Sequence, residues 1–585
     1  MNVVFVSTLF LGVVLASVVE GATATNLQAI FRKGQTFVTF NEVSGASVTY
    51  QVYRDAAPII SVANRTPIAV LDQGSGINKY TNTNFIVTDL GSPLPNGTGL
   101  LVWTTSAAGD FYYAVTNSSD SSIVAGVNAT TAAVQETVFA VPGSIQLKAA
   151  YSANGPGTNR VTEYFAWEDY AKWEHAAWTY YGHRYDVVTQ PTLQADAMYP
   201  LTVILHPADG SGYKEPLWYV PPIGTGVYVI PRDNNFSAVA EPFHGLNLNT
   251  TYWYGHRRAD GVVVNDTEQR VIRYVLLTTA DPAFQVDASR RYISGASLGG
   301  GGSMHFAYHH PTLFAAAAPT IGWVDPVSTS LNYAPYFGSP IESGLAWNDW
   351  EDQAWLVAQR PQLPPIVYTF GKDDPILSAA AYPKLLEQTE AARQAYFAMW
   401  RNTGHSSFYL LDNADYHRFK SNEAYPAFSA AGNSDAFTAQ EGQRNVQLDW
   451  SSALHNLGPG TGVTDTDEVF AMSFKSLSGD TTASVTIRNT QAFKLTPGTQ
   501  VRWWNVPQSD GAAIQSGVAT ADSDGLITVS LQILGFGNRL KIARGADAGE
   551  PGAAPGEPAP SINGSTAPIV TGPSGPMKLR IVPVS

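Results

Sequence analysis

The chain has 585 residues, of which 14 % are charged and 11 % aromatic, with a net charge of −14 and no cysteine. At roughly 150 residues per domain this length suits three or four domains, and so many aromatics with so few charges exclude disorder throughout. No positive excess exists to release counterions from phosphate, which argues against a nucleic-acid partner, and zero cysteine excludes disulfides, thiolate metal sites and a cysteine nucleophile.

Residues Val3 to Val19 form an apolar run broken only by Ser7, Thr8, Gly12 and Ser17, followed by small residues around Gly21-Ala22-Thr23-Ala24. Segment 1–22 reads as a secretory signal peptide cleaved at about residues 21–24. The alternative is an N-terminal anchor, for which about 17 residues is the lower limit. The expected location is secreted and extracellular, with no membrane span after signal cleavage. Eight N-x-Ser/Thr sequons (Asn64, Asn96, Asn117, Asn128, Asn235, Asn249, Asn265 and Asn563) fit a glycoprotein.

Residues 25–147 alternate apolar and polar positions between turn signals, as half-buried strands do. The runs are Phe37–Phe40, Ser47–Arg54 and Asp110–Thr116. In the stretches "VTYQVYR" and "GDFYYAVT" the segment resembles a fibronectin type III domain, with Tyr112 or Tyr113 as its tyrosine corner. Residues 150–435 then alternate continuous apolar runs with helical stretches. The runs are Leu201–Leu205, Val227–Ile230, Arg291–Ser294, Phe314–Pro319 and Ile366–Phe370. Such runs suit strands buried on both faces of a parallel sheet. Thr267 to Leu277 reads as a helix capped by Asp266, and Pro383 to Arg401 as a longer helix ended by Asn402-Thr403-Gly404. Residues 440–545 return to strand alternation at Ala483–Arg488, Gln500–Asn505 and Gly525–Ser530, a second β-sandwich. The Gly, Ala and Pro-rich residues 546–585 read as a flexible tail.

The chemistry concentrates in Gly295-Ala296-Ser297-Leu298-Gly299, a G-x-S-x-G elbow between an apolar strand and a helical pattern. That setting is what a nucleophile elbow needs, because the serine sits on a strained turn at a helix N-terminus. A serine alcohol needs a base, and the base an orienting acid. Downstream, strand Ile366–Phe370 runs into Gly371-Lys372-Asp373-Asp374, and Asp374 is preferred over Asp373 as the acid. Three histidines follow, His405, His417 and His455, and His405 in Thr403-Gly404-His405-Ser406 is the favoured base. The oxyanion hole is assigned to the backbone N–H groups of Leu298 and Ala208. Pro207, which precedes Ala208, has no N–H to offer. Trp347, Trp350 and Trp253 are candidate substrate contacts, although most tryptophans serve as core anchors. His309 and His310 read as partners of a helix C-terminal dipole. No metal site and no cofactor are expected.

The stretches "VILHPADGSG", "RRYISGASLGGGGSMHFAYHHPTLFAAAAP", "YTFGKDD" and "NTGH" resemble the α/β-hydrolases of the polyhydroxybutyrate-depolymerase and feruloyl-esterase type. The resemblance covers residues 150–435. It implies a secreted serine ester hydrolase working through an acyl-enzyme, with Ser297, His405 and Asp374 as its triad. The expected architecture is multidomain: a central α/β-hydrolase, doubly wound and mostly parallel, flanked by two all-β sandwiches. The expected partner is an ester substrate of polymeric or polysaccharide-linked kind, with the sandwiches binding a carbohydrate or polymer surface. A serine peptidase of the same fold and a non-catalytic adhesion protein are the alternatives.

Overall fold

The computed structural model describes residues 23–44, 48–78, 82–152, 159–173, 182–207, 226–232, 241–243, 246–248, 252–257, 263–324, 357–358, 361–406, 415–509 and 511–551. The expected signal peptide, Ala208, Trp347, Trp350 and the tail from residue 552 lie outside the described residues. The chain divides into two compact units. One comprises Met1–Val87, Gly91–Gly143 and Asp169–Tyr181, and the other Thr88–Leu90, Ser144–Glu168 and Gly182–Ser585.

The first unit is built from β1 (Thr25–Arg32), β2 (Gln35–Asn41), β3 (Thr49–Asp55), β4 (Ala69–Asp72), β5 (Thr98–Thr104), β6 (Gly109–Asn117) and β7 (Val134–Glu136). They form two antiparallel sheets, ordered β1-β2-β5 and β4-β3-β6-β7. Phe40 of β2 meets Tyr50 of β3 at 4.8 Å between ring centroids, so apolar side chains of the two sheets face one another. Tyr113 is fully buried, and its hydroxyl donates to the carboxylate of Glu136 rather than to a backbone group. It therefore does not make the backbone bond expected of a tyrosine corner.

The second unit carries a long mixed sheet. Its main strands are β8 (Arg160–Trp167), β9 (Gly182–Thr189), β10 (Tyr199–Leu205), β11 (Val227–Pro231), β12 (Val286–Ala296), β13 (Ala316–Thr320), β14 (Ile366–Gly371) and β15 (Tyr396–Arg401). Their order is β8-β9-β11-β10-β12-β13-β14-β15. From β11 to β15 all pairings are parallel, while β8 and β9 add antiparallel strands at one side. Among the described residues, three helices connect the parallel strands: α1 (Asp266–Ala280), α2 (Leu298–His309) and α3 (Tyr382–Ala391). Asn265 rather than Asp266 is the cap of α1, and Asp266 falls in its first turn.

One expected element differs. Pro383–Arg401 is not a single helix: α3 stops at Ala391, and Tyr396–Arg401 is a strand buried within the sheet. A strand buried on both faces has no amphipathic period, so its apolar run reads equally well as helix. Arg393, with φ 52°, makes the turn between the two elements without a glycine to announce it.

The strand order locates the site. From β10 the chain passes to its neighbour β11 and then crosses back to β12, on the other side of β10. Open α/β sheets leave a crevice beyond the carboxyl ends of strands where such a reversal occurs. Here those ends are Leu205, followed by His206, and Ala296, followed by Ser297; Leu205 is in register with Gly295.

Beyond β15 the chain forms two antiparallel sheets. One contains Tyr425–Ser429, Thr481–Arg488 and Thr528–Ile533; the other is led by Leu448–Trp450, Val469–Ser476, Asn538–Arg544, Gln500–Pro507 and Gln515–Thr520. The last strand of the first sheet starts three residues later than its apolar pattern suggests, because Gly525, at φ 74°, turns the chain. Val485, Leu531, Phe474 and Leu540 share one buried cluster with Val367 of β14 and Phe397 of β15.

Candidate active site

Ser297 caps α2 directly after β12, at φ 56° and ψ −116°. A side chain held in this region costs of order 1–3 kcal/mol, so its surroundings must impose the conformation. The Ser297 N–H donates to Thr320 O of β13 at 2.9 Å, and its carbonyl accepts the N–H of Gly301 at 3.0 Å. Glycine is required on both sides of the elbow. A Cβ at Gly299 would stand 2.0 Å from Leu205 O, and one at Gly295 would stand 2.4 Å from Gly299 O. Only bare backbone allows the helix start to press against the end of β10.

The acid loop follows β14 and the histidine loop follows β15, its parallel neighbour. Backbone bonds zip the loops together, from Lys372 N–H to Arg401 O at 2.8 Å and from Asp373 N–H to Thr403 O at 3.0 Å. His405 Nε2 lies 2.8 Å from Ser297 Oγ, and His405 Nδ1 lies 2.6 Å from Asp374 Oδ2. The other carboxylate oxygen of Asp374 accepts the N–H groups of Ile376 and Leu377 at 2.8 and 2.9 Å. Asp374 is buried and its side chain is thus fixed by three donors, whereas Asp373 is exposed. An ionised carboxylate can only accept, so the Nδ1 proton faces Asp374 and the Nε2 lone pair of the neutral ring faces the serine hydroxyl. This arrangement can take a proton from Ser297 Oγ as the oxygen attacks a carbonyl.

The other downstream histidines lie elsewhere. His417 approaches Thr202 Oγ1 at 3.3 Å and Asp415, and His455 pairs with Asp449 at 3.0 Å. Leu298 opens α2, so its N–H belongs to the first helical turn, whose amides have no intrahelical acceptor. Ala208, the other expected oxyanion donor, and the candidate contacts Trp347 and Trp350 lie outside the described residues. Trp253 differs from its expected role. It is fully buried, its indole N–H donates to His206 O at 3.3 Å, and its ring packs edge-on to His206 at 4.7 Å. It braces the chain just after β10 and presents no face to a ligand. Sequence reading missed the Ile376 and Leu377 amides that orient the acid, since backbone donors leave no residue-type signal.

A family model described as "Putative esterase" matches residues 249–429, a span that includes Ser297, Asp374 and His405. Among solved structures, the chain is similar to an S-formylglutathione hydrolase from Agrobacterium tumefaciens at 17 % identity and a TM-score of 0.35, covering 44 % of this chain and 92 % of that one. A ferulic acid esterase aligns at 14 % identity and a TM-score of 0.29, covering 42 % and 92 %. Acetyl xylan esterase 1 from Thermoanaerobacterium aligns at 12 % identity and a TM-score of 0.31, covering 44 % and 82 %. No curated protein sequence matches the chain. The esterase-model match and the mixed, partly parallel sheet support a carboxylic-ester hydrolase of the α/β-hydrolase type.

Proposed function

We propose that the chain is a secreted serine ester hydrolase in which Ser297, His405 and Asp374 act as a catalytic triad. The observation that carries this reading is the pair of short contacts, 2.8 Å and 2.6 Å, that joins serine, histidine and acid. Ser297 Oγ attacks the ester carbonyl while His405 Nε2 takes its proton. The tetrahedral oxyanion is held by the Leu298 N–H and a second donor from the loop after β10, for which Ala208 is the candidate. Collapse expels the alcohol, which receives the proton from His405, and leaves an acyl group on Ser297. Water, deprotonated by His405, then releases the acid and restores the serine. Asp374 stabilises the imidazolium formed in both halves without taking its proton.

The substrate proposed is an ester of polymeric or polysaccharide-linked kind. The antiparallel sheets β1-β2-β5 and β4-β3-β6-β7 of the first unit support its fibronectin type III-like reading, and such a unit would hold the enzyme to an insoluble surface. A fluorophosphonate probe tests the reaction. The wild-type chain is expected to be labelled once, at Ser297, and Ser297→Ala not at all. Equal labelling of the two overturns the triad. Turnover of p-nitrophenyl esters with none of peptide anilides is expected, and the reverse would make the protein a peptidase.

A further inference from the structure

A second cluster of chemically active side chains lies at the far end of the helix that begins at Ser297. His305 and His309 are one turn apart on α2, and their rings meet at 3.9 Å between centroids. Residues at i and i+4 share a helix face, which is how two histidines of one helix reach one ion. Glu268, in the first turn of α1, reaches the same point from 41 residues before His309 in sequence. Its Oε1 lies 2.9 Å from His309 Nδ1 and 2.8 Å from His310 Nε2. One nitrogen of each of His305 and His309 and a carboxylate oxygen of Glu268 lie within 4.8 Å of one another.

We infer that Glu268, His305 and His309 form a binding site for a divalent transition-metal ion of the zinc type. Zinc binds imidazole nitrogen at about 2.0–2.1 Å and carboxylate oxygen at about 2.0–2.2 Å. Tetrahedral ligand atoms therefore stand about 3.3 Å apart. The 2.9 Å contact between His309 and Glu268 opens by a few tenths of an ångström to admit the ion, and the remaining atoms close in from within 4.8 Å. Two imidazoles with one carboxylate favour zinc, copper or nickel over calcium or magnesium, which prefer all-oxygen cages.

The surroundings hold the ligands in place. Asn265 Nδ2 donates to Glu268 Oε2 at 2.9 Å, which turns Oε1 toward the histidines. The Glu268 N–H donates to Tyr254 O at 2.9 Å, and the Tyr254 ring covers His305 and His309 at 5.0 and 6.1 Å. Glu268 and His305 are 1 % and 0 % exposed, while the side chain of His310 is 26 % exposed and marks the open side. Binding replaces the hydrogen bond between His309 Nδ1 and Glu268 Oε1 by coordination, and the ring binds as the neutral tautomer that carries its proton on Nε2. The ion would clamp the end of the nucleophile helix to the start of α1. No spacing within one segment reveals this site, because Glu268 and the histidines meet only in the fold.

The test uses the full chain, stripped with a chelator and titrated with Zn(II) or Co(II). One equivalent per chain is expected, with a rise in Tm and, for Co(II), the visible bands of a tetrahedral ion. His309→Gln is expected to weaken Zn(II) binding by more than about tenfold, while His455→Gln, at the half-buried pair with Asp449, leaves it unchanged. X-ray absorption of the Zn-loaded wild-type chain is expected to read imidazole nitrogen and one carboxylate oxygen at about 2.0–2.2 Å, whatever the stability of the variants. Less than one equivalent bound, a water-only coordination shell, or equal affinity in His309→Gln overturns the proposal. Because the site stands apart from Ser297, a Ser297→Ala chain binds the ion equally well, so failure here and failure of the esterase reading are separable.

Discussion

At the scale of single residues, the site depends on fixed orientation more than on the presence of particular groups. Asp374 holds His405 through one oxygen and is itself held by two amides through the other. Asp374→Asn keeps the size but puts an N–H where a carboxylate must accept. The ring of His405 then turns its proton toward Ser297, and kcat on a p-nitrophenyl ester is expected to fall by about 10⁴-fold, with the fold unchanged by circular dichroism. Gly299→Ala tests the elbow differently. Its new methyl would meet Leu205 O at 2.0 Å, so the start of α2 must shift and Ser297 with it. The expected result is loss of fluorophosphonate labelling together with a lowered Tm; full labelling would show that the elbow tolerates displacement. These residues were legible in the sequence because each belongs to a short motif with a mechanical reason: a glycine-flanked serine after a strand, an acid just past another strand, and a histidine after a glycine. Glu268 was not legible, since its partners lie on another helix.

At the scale of elements, the first unit shows how a charged group is kept between two sheets. Glu136 of β7 is 1 % exposed. It accepts from Thr36 of β2 at 2.7 Å, from Arg54 of β3 at 2.6 Å and from Tyr113 of β6, so it ties both sheets together. Burial pushes its pKa up, but the hydrogen bonds from Arg54, Thr105, Tyr113 and Thr36 outweigh this and leave it below the usual 4.5. The sign follows directly. A carboxyl whose folded pKa is depressed contributes stability that is present above the unfolded value and lost as pH falls through the folded one. The unit is expected to lose stability on the acid side of about pH 4.5, and Glu136→Gln to flatten that slope in denaturant titrations at a series of pH values. Arg54→Ala leaves the carboxylate buried without its cation and is expected to cost about 3–5 kcal/mol. The strands β2, β3 and β6 were readable from period-two alternation, and the three-residue β7 that carries Glu136 was not. Strand β15 was not readable either, because Tyr396–Trp400 is a continuous apolar run that follows α3 without a glycine or proline stop. The acid and histidine loops therefore stand on adjacent parallel strands, an arrangement that the sequence alone had split between a strand and a helix.

At the scale of the whole molecule, composition and cysteine content imply that buried apolar area must hold each unit together, since no disulfide can. In the second unit the C-terminal sheets do not close on a private core. Trp450 stacks on Phe397 of β15 at 5.1 Å with 14° between the planes, and the Arg418 guanidinium lies 3.7 Å from its ring centroid. Phe397 also meets Phe428 at 6.4 Å, and Tyr292 of β12 belongs to the same buried cluster. The sequence pattern divides residues 150–435 from 440–545, but pattern reports element type and not which core a side chain enters: Tyr425–Ser429 joins a C-terminal sheet, and Gly442–Arg444 pairs with β15. A shared core makes unfolding of the mixed sheet and the C-terminal sheets one event. Trp450→Ala removes a fully buried indole and is expected to cost about 3–5 kcal/mol. Its effect should appear on both sides of the boundary. The temperature at which fluorophosphonate labelling of Ser297 is lost should fall in step with the temperature at which the β-sheet circular dichroism is lost, although Trp450 lies outside the catalytic segment. If labelling instead survived beyond the melting of the C-terminal strands, the two segments would fold independently, and the core they share would contribute nothing to holding the nucleophile in place.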